Sequence, residues 1–345
     1  MHSTSEKALA TIPKLTSLGS ILSSMALAYI IIVNPNEKNK STPYHRLMLG
    51  MTTCDFLAST AWFFTTWPIP KDTGIYGAVG NQQVCAAQGF FAQVSLAAVM
   101  YTGSLAVYYV LVIVKNWTDA RIAKIEPYLH AWSITWGLGT SFAGLAMNMF
   151  NPVGWDCWIG PMPMGCTESY RIKDDTDLEN IIRCERGDNA SLFAWFFFYM
   201  PLWLVIIFIT ASMIWIYKFI WDLEKRMVAY SFRPTNSSQC SRKFAKRAIL
   251  YVGACYVTWF FPTILQVTLA ISGTAHYWAL LPTAILIPIQ GVLNLRIYLM
   301  PDVETFLRNC DENKKPFLPL LKVLLIELGI LEYNTTTRDI TAARN

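Results

Sequence analysis

One acid stands apart from every other in this chain. Asp55 lies roughly nine residues into an apolar run, Leu47–Trp67, with no charged neighbour, at a depth where an ionisable group is costly and marks function by default. Its chemistry is that of a sodium or proton site able to bias two states of a helix bundle. The competing reading is a structural carboxyl bonded to polar side chains of adjacent helices. Lys14 and Arg296 sit near the ends of apolar runs and read as side chains that snorkel to the interface. His130 opens another run and reads as an interface histidine with its hydrogen bonds satisfied.

Enzyme chemistry finds no footing. His2, His45, His130 and His276 share no metal-ligand spacing. There is no Gly-x-Ser-x-Gly, no phosphate-binding glycine loop and no intramembrane carboxylate pair. The last apolar run holds no lysine, so a retinal Schiff base has nowhere to form. The sequence therefore reads as a non-enzyme with no cofactor, no structural metal and no nucleic-acid partner.

The elements that carry these residues follow from composition. Of 345 residues, 54% are hydrophobic and only 15% charged, against roughly a quarter charged in soluble domains. Seven runs approach the roughly 20 apolar residues that a spanning helix needs: Ile12–Val33, Leu47–Trp67, Cys85–Val114, Tyr128–Phe150, Leu192–Ile220, Ala248–Ile271 and Tyr277–Leu299. The third and fifth exceed an untilted span and are expected to tilt or project. The predicted fold is an all-α integral membrane protein, a seven-transmembrane helix bundle over residues 1–300, with a cytoplasmic tail over 301–345. No cleavage-like site precedes the first run, which reads as an uncleaved anchor. Halves of the chain do not repeat, which weighs against an inverted-repeat transporter.

Loop charge sets the orientation. Asn34–Arg46, Lys115–Pro127 and Trp221–Arg247 hold thirteen Lys and Arg; Pro68–Val84, Asn151–Ser191 and Ser272–His276 hold five. The basic set is expected inside, with the N-terminus outside and the C-terminus inside. Cys85, Cys157, Cys166 and Cys184 then lie on the oxidising side, where four cysteines allow three pairings. Cys54 and Cys255 read as small core residues. Of five sequons only Asn189 falls outside, close to a helix. Pro201, Pro262, Pro282 and Pro288 interrupt the last three runs, where each removes a backbone hydrogen bond and allows a hinge.

Several motifs together resemble a G-protein-coupled receptor, and within that group the cyclic-AMP-receptor-like branch, which shares features with secretin-like receptors. They are Cys85 at the outer start of the third helix, Cys157-Trp158 in the long outer loop, His130-Ala-Trp132 with Trp136-Gly137, and Pro201-Leu-Trp. Trp259-Phe-Phe-Pro262, Pro288-Ile-Gln-Gly291, Asn294 and Tyr298 complete the set, over about residues 47 to 300. Two departures point away from the rhodopsin-like class. The third helix ends in Tyr108-Tyr109-Val-Leu with no Asp-Arg-Tyr, and Leu295 follows Asn294 where proline would stand.

The resemblance implies an extracellular ligand, unidentified, a heterotrimeric G protein inside and a plasma-membrane location. It implies a Cys85–Cys157 disulfide tethering the third helix to the outer loop 151–191, which leaves Cys166 with Cys184. Trp259, Phe260 and Pro262 would form hinge and aromatic plug, and Asn294 and Tyr298 a polar pair within reach of Asp55. Lys225, Arg226, Arg242, Lys243, Lys246 and Arg247, in the basic loop 221–247, would meet the G protein or anionic membrane lipid. Gln88, Gln93, Tyr101, Gln266 and Trp278 are the candidate ligand pocket. Pro301–Arg308 resembles a short interfacial helix, followed by Cys310 as a palmitoylation candidate. Phe317–Leu331 reads as an interfacial or partner-binding helix. The alternative is a seven-helix transporter or channel with Asp55 in a cation or proton path.

Overall fold

The computed structural model describes residues 3–33, 42–171, 182–229, 236–272, 275–309 and 319–327; at 171, 227–229, 236–248, 301–302, 304–309 and 327 it describes the backbone alone. The first half runs α1 (Thr4–Val33), α2 (Pro43–Phe63), α3 (Gln82–Gln93), α4 (Ser95–Ile113), α5 (Asp119–Ile122) and α6 (Glu126–Ala146). A hairpin follows, β1 (Phe150–Pro152) with β2 (Cys157–Ile159), antiparallel with Asn151 opposite Trp158. Then come α7 (Ala190–Ala194), a π-helical turn at Trp195–Tyr199, α8 (Met200–Ala229), α9 (Asn236–Ser272), α10 (Tyr277–Leu286), α11 (Gln290–Asn309) and α12 (Pro319–Glu327).

Among the described residues, five stretches are long and apolar enough to cross a membrane: Thr4–Val33, Gln82–Ile113, Ala190–Arg226, Ile249–Ser272 and Tyr277–Met300. Helices α2 and α6, each of 21 residues, are diluted by polar groups such as Arg46 and Asp55, or Glu126 and His130. Large apolar side chains cover the outside, among them Leu15, Trp132, Phe142, Leu204 and Ile207. A water-soluble protein rarely shows so much contiguous apolar surface.

Helix α4 is the central mast. Fifteen of its nineteen residues are buried, and it packs against α2, α6, α8 and α9. Small residues set the closest approaches. A Cβ on Gly137 of α6 would strike the Cβ of Ala97 on α4, so only glycine lets α6 and α4 approach this closely. Gly291 plays the same part between α11 and α1, where its N–H donates to Ser20 Oγ at 3.0 Å.

Several boundaries differ from expectation. Helix α1 starts at Thr4, not Ile12. The fourth run stops at Ala146, and Phe150 joins the hairpin, which was not foreseen in an all-α reading. The basic loop 221–247 is largely helical: α8 reaches Ala229 and α9 begins at Asn236. Among the described residues Pro301–Arg308 is not a separate helix, because α11 continues through Pro301 to Asn309 as one element. The Phe317–Leu331 segment contains α12, which packs on α11 with Val323 buried. Cys310 lies outside the described residues.

Candidate functional site

The site is assembled at the hairpin. Cys85 on α3 is bonded to Cys157 on β2, and Cys166 to Cys184 within the following loop. Two glutamines on α3, one above the other, finish the attachment. Gln88 donates to the carbonyls of Ala61 (3.0 Å) and Thr65 (2.9 Å), which the end of α2 leaves unsatisfied, and accepts from Cys157 N–H at 2.9 Å. Gln93 is fully buried. Its Oε1 accepts from Trp158 Nε1 (2.8 Å), and its Nε2 donates to Thr140 Oγ1 (3.0 Å) and to Phe197 O (3.3 Å). Pro201 has no N–H to offer the Phe197 carbonyl, so Gln93 takes the place of the lost helical bond.

The Cys85–Cys157 bridge closes 72 residues and the Cys166–Cys184 bridge 18. Removing a bridge of this kind costs roughly 2–5 kcal/mol, and the longer closure adds about 1 kcal/mol. The double variant Cys85→Ser/Cys157→Ser is therefore expected to melt below Cys166→Ser/Cys184→Ser in detergent. The reverse order would show that the hairpin does not depend on its tether.

Beyond β2 an aromatic path enters the bundle. Trp158 stands edge-on to Phe198 (5.3 Å) and Tyr199 (6.0 Å) in the π-turn, and Phe198 packs on Trp259 of α9 (5.0 Å). Tyr199 donates its hydroxyl to Pro262 O at 3.1 Å, at the kink of α9, and Trp203 Nε1 reaches Thr263 Oγ1 at 3.1 Å. Next to Trp259 the path becomes polar. Thr258 Oγ1 donates to Gln290 Oε1 (2.8 Å), Gln290 Nε2 to Asn294 Oδ1 (3.2 Å), and Asn294 Nδ2 to Asp55 Oδ2 (2.6 Å). Asp55 is 5% exposed, so this amide is what compensates its burial. Three helices, α9, α11 and α2, are thereby tied through one chain of hydrogen bonds.

The tip of the hairpin fills the mouth of the bundle. Trp155 is buried with Leu9 of α1, Ala58 and Trp62 of α2, Ala92 of α3 and Ala284 of α10. Beside it Asp156 is 3% exposed, and its Oδ1 meets no hydrogen-bond partner. Burial pushes this carboxyl up to about 7.

At the opposite end a second network joins α2, α6 and α4. Arg46 holds Glu126 through two hydrogen bonds, His130 Nε2 lies 3.5 Å from Glu126, and His130 Nδ1 meets Tyr101 OH at 2.9 Å. The Arg46 hydrogen bonds hold the Glu126 carboxyl below the usual carboxylate range. Both ring nitrogens of His130 thus have a partner.

Other candidates land less well. Tyr298 is buried in the main core but makes no hydrogen bond to Asp55 or Asn294; Gln290 and Thr258 stand in its place. Phe260 is 53% exposed and faces outward, whereas its neighbour Trp259 is 3% exposed, so Phe260 is no part of an aromatic plug. Gln93, Tyr101, Gln266 and Trp278 do not line one pocket. Gln93 is consumed by the hairpin, Tyr101 sits in the opposite-end network, Gln266 is buried in α9 and Trp278 is exposed. Asn189 caps α7 and accepts from Tyr170 N–H at 3.0 Å. Lys225 and Arg226 are exposed on α8, with Lys225 Nζ 5.3 Å from the Trp221 ring. The side chains of Arg242, Lys243, Lys246 and Arg247 lie outside the described residues. Gln88, a candidate pocket residue in sequence, instead ties the end of α2 to the hairpin. Gln290, quoted only as part of the Pro288-Ile-Gln-Gly291 motif, links Thr258 to Asn294. Sequence reading missed Glu126, Asp156 and Thr258. A polar residue inside an apolar run was the available signal for Thr258.

No family model matches the sequence, and no curated protein matches it. Among solved structures, the crystal structure of squid rhodopsin superposes with a TM-score of 0.59 at 14% identity, over 98% of this chain and 91% of that one. Identity that low carries the architecture and not the ligand. The chain has the fold of a G-protein-coupled receptor.

Proposed function

We propose that this protein is a G-protein-coupled receptor that passes an extracellular signal to a heterotrimeric G protein, in the cyclic-AMP-receptor-like branch related to secretin-like receptors. Seven helices cross the plasma membrane, the N-terminus lies outside and the C-terminus inside. The thirteen-to-five bias of basic loop residues and the disulfides on the opposite side support that orientation. The observation that carries the reading is the unbroken series of contacts from the tethered hairpin through Trp158, Phe198 and Trp259 to Thr258 and Asp55.

In this reading an agonist in the mouth displaces the hairpin tip. Trp158 then pushes Phe198 and Tyr199, Trp259 turns about the Pro262 kink, and the inner half of α9 swings away from the bundle. Thr258 moves with α9 and rearranges Gln290, Asn294 and Asp55, whose carboxylate is the candidate sodium or proton site. A bistable bundle coupling two sites needs such a contiguous two-state element. Gln266 and Trp278 remain candidate ligand contacts. Lys225 and Arg226, with Arg242, Lys243, Lys246 and Arg247 of the basic stretch 221–247, are the contacts proposed for the G protein or anionic lipid. Cys310 remains a palmitoylation candidate and Asn189 a glycosylation candidate.

An agonist screen read as guanine-nucleotide exchange on added G protein tests this directly. At least one extracellular ligand should stimulate exchange, and a C-terminal epitope should label only after permeabilisation. Solute flux in liposomes without any G protein, and no stimulated exchange, would overturn it in favour of a transporter.

A further inference from the structure

A cavity of about 540 Å³ opens at the hairpin end between α3 and α6, apart from the aromatic path. Its walls are aromatic, with Phe90 edge-on to Phe91 at 5.4 Å and to Phe142 at 5.0 Å. Phe91, Phe142 and Leu145 are exposed on the bundle's outer surface, so the cavity opens sideways, where hydrocarbon would lie. Lipid-facing surface needs nothing more than this. Here, however, Gln82, Asn148 and Arg186 close one end.

Two of those polar groups have unused capacity, and they converge. Arg186 Nε donates to Asn151 Oδ1 at 3.2 Å, and among the described residues no carboxylate pairs with its guanidinium. Gln82 Nε2 donates to the same Asn151 oxygen at 3.1 Å and to Phe150 O at 3.0 Å. Those two bonds fix the amide, and they leave its Oε1 buried with no donor. A buried acceptor without a donor is unfavourable unless something brings one. The end of the slot therefore offers a cation with free N–H groups for an oxyanion, beside an acceptor waiting for a hydroxyl. The volume lies in the range of pockets that hold one small ligand, and it suits one acyl chain rather than two.

We propose that this groove binds a single-chain amphiphile whose head carries an oxyanion beside a hydroxyl, the class of a lysophosphatidate drawn from the adjacent leaflet. Arg186 takes the oxyanion, Gln82 Oε1 accepts the hydroxyl, and the chain lies between the phenylalanines. Phe150 and Asn151 belong to β1, so an occupant also braces the hairpin against α3 near the Cys85–Cys157 bridge. The site is separate from the agonist mouth and stands whether or not the proposed coupling is right.

The full chain in a neutral maltoside detergent, titrated with oleoyl lysophosphatidate and read by native mass spectrometry, provides the test. One molecule should bind per chain. Arg186→Gln, with both disulfides intact by peptide mapping, should weaken binding about tenfold or more, and oleyl phosphate, which lacks the hydroxyl, should bind more weakly than lysophosphatidate. Should Arg186→Gln not fold, Phe142→Trp, on an exposed face, fills the slot and should abolish binding. Parent-like binding by whichever of these variants folds overturns the proposal. Oleyl alcohol or dioleoyl phosphatidate competing as well as lysophosphatidate overturns it too, because the groove is then ordinary boundary surface.

Discussion

Asp55→Asn is expected to reach the cell surface in normal amount and to change nucleotide exchange by about tenfold, the equivalent of about 1.4 kcal/mol in the balance of two states. The substitution keeps the shape and an oxygen for Asn294 Nδ2, and it removes only the charge. Groups sharing one hydrogen-bond chain are coupled, so Asn294→Asp alone should disturb signalling as well. The reciprocal pair Asp55→Asn/Asn294→Asp rebuilds a carboxylate–amide contact in reverse and should recover part of the loss. Basal and agonist-stimulated exchange, measured across sodium concentrations, checks all three variants. If Asp55 is only a packing carboxyl, Asp55→Asn will signal like the parent, while Asp55→Ala will lose surface expression because Asn294 then faces a void.

The second large effect concerns pH. Asp156 titrates at about 7 in the folded protein, against about 3.9 in an unfolded chain. The native state therefore holds a proton that the unfolded state releases. The stability this confers is complete below about pH 3.9, drains away at about 1.4 kcal/mol per pH unit, and is gone above about pH 7. Ionisation leaves a buried charge whose ionisable neighbour is Tyr199 and whose Oδ1 has no donor. The detergent-solubilised protein should melt at progressively lower temperature as pH rises through this window, and Asp156→Asn should flatten that dependence. An unchanged slope in the variant would assign the effect to other carboxyls.

The reach of the sequence can be judged residue by residue. Apolar runs located the helices because hydrocarbon length imposes a minimum that few soluble helices meet. Their ends were less legible: α8 and α9 continue past the apolar stretch in sequence that reads as charged loop. Asp55 was conspicuous because it broke a run, and Asn294 came from the resemblance. Gln290 was legible only as part of a motif and Thr258 not at all; that they complete the chain of bonds emerged when the helices were placed side by side. Glu126 was hidden differently. It sits in a basic loop and looks like a solvated charge, yet Arg46, eighty residues earlier, makes it a tie between two helices. Asp156 gave no signal at all, since burial of a loop carboxyl depends on where a hairpin folds back.

The π-turn at Trp195–Tyr199 has a bearing on how this chain tolerates changes in length. An α-helical residue advances the phase by about 100°, so deleting one from a regular span turns everything on one side of the deletion to the wrong neighbours. A π-turn already contains one residue more than the helix needs. Removing Phe196, which faces outward, would convert the turn to ordinary α-helix and leave Phe198 and Tyr199 still aimed at Trp158 and Trp259. The same deletion one turn later, at Trp203, would carry the Thr263 contact with it. The helical stretch from α7 to α8 thus holds a spare residue, and a change of register between its two ends requires only that one turn tighten.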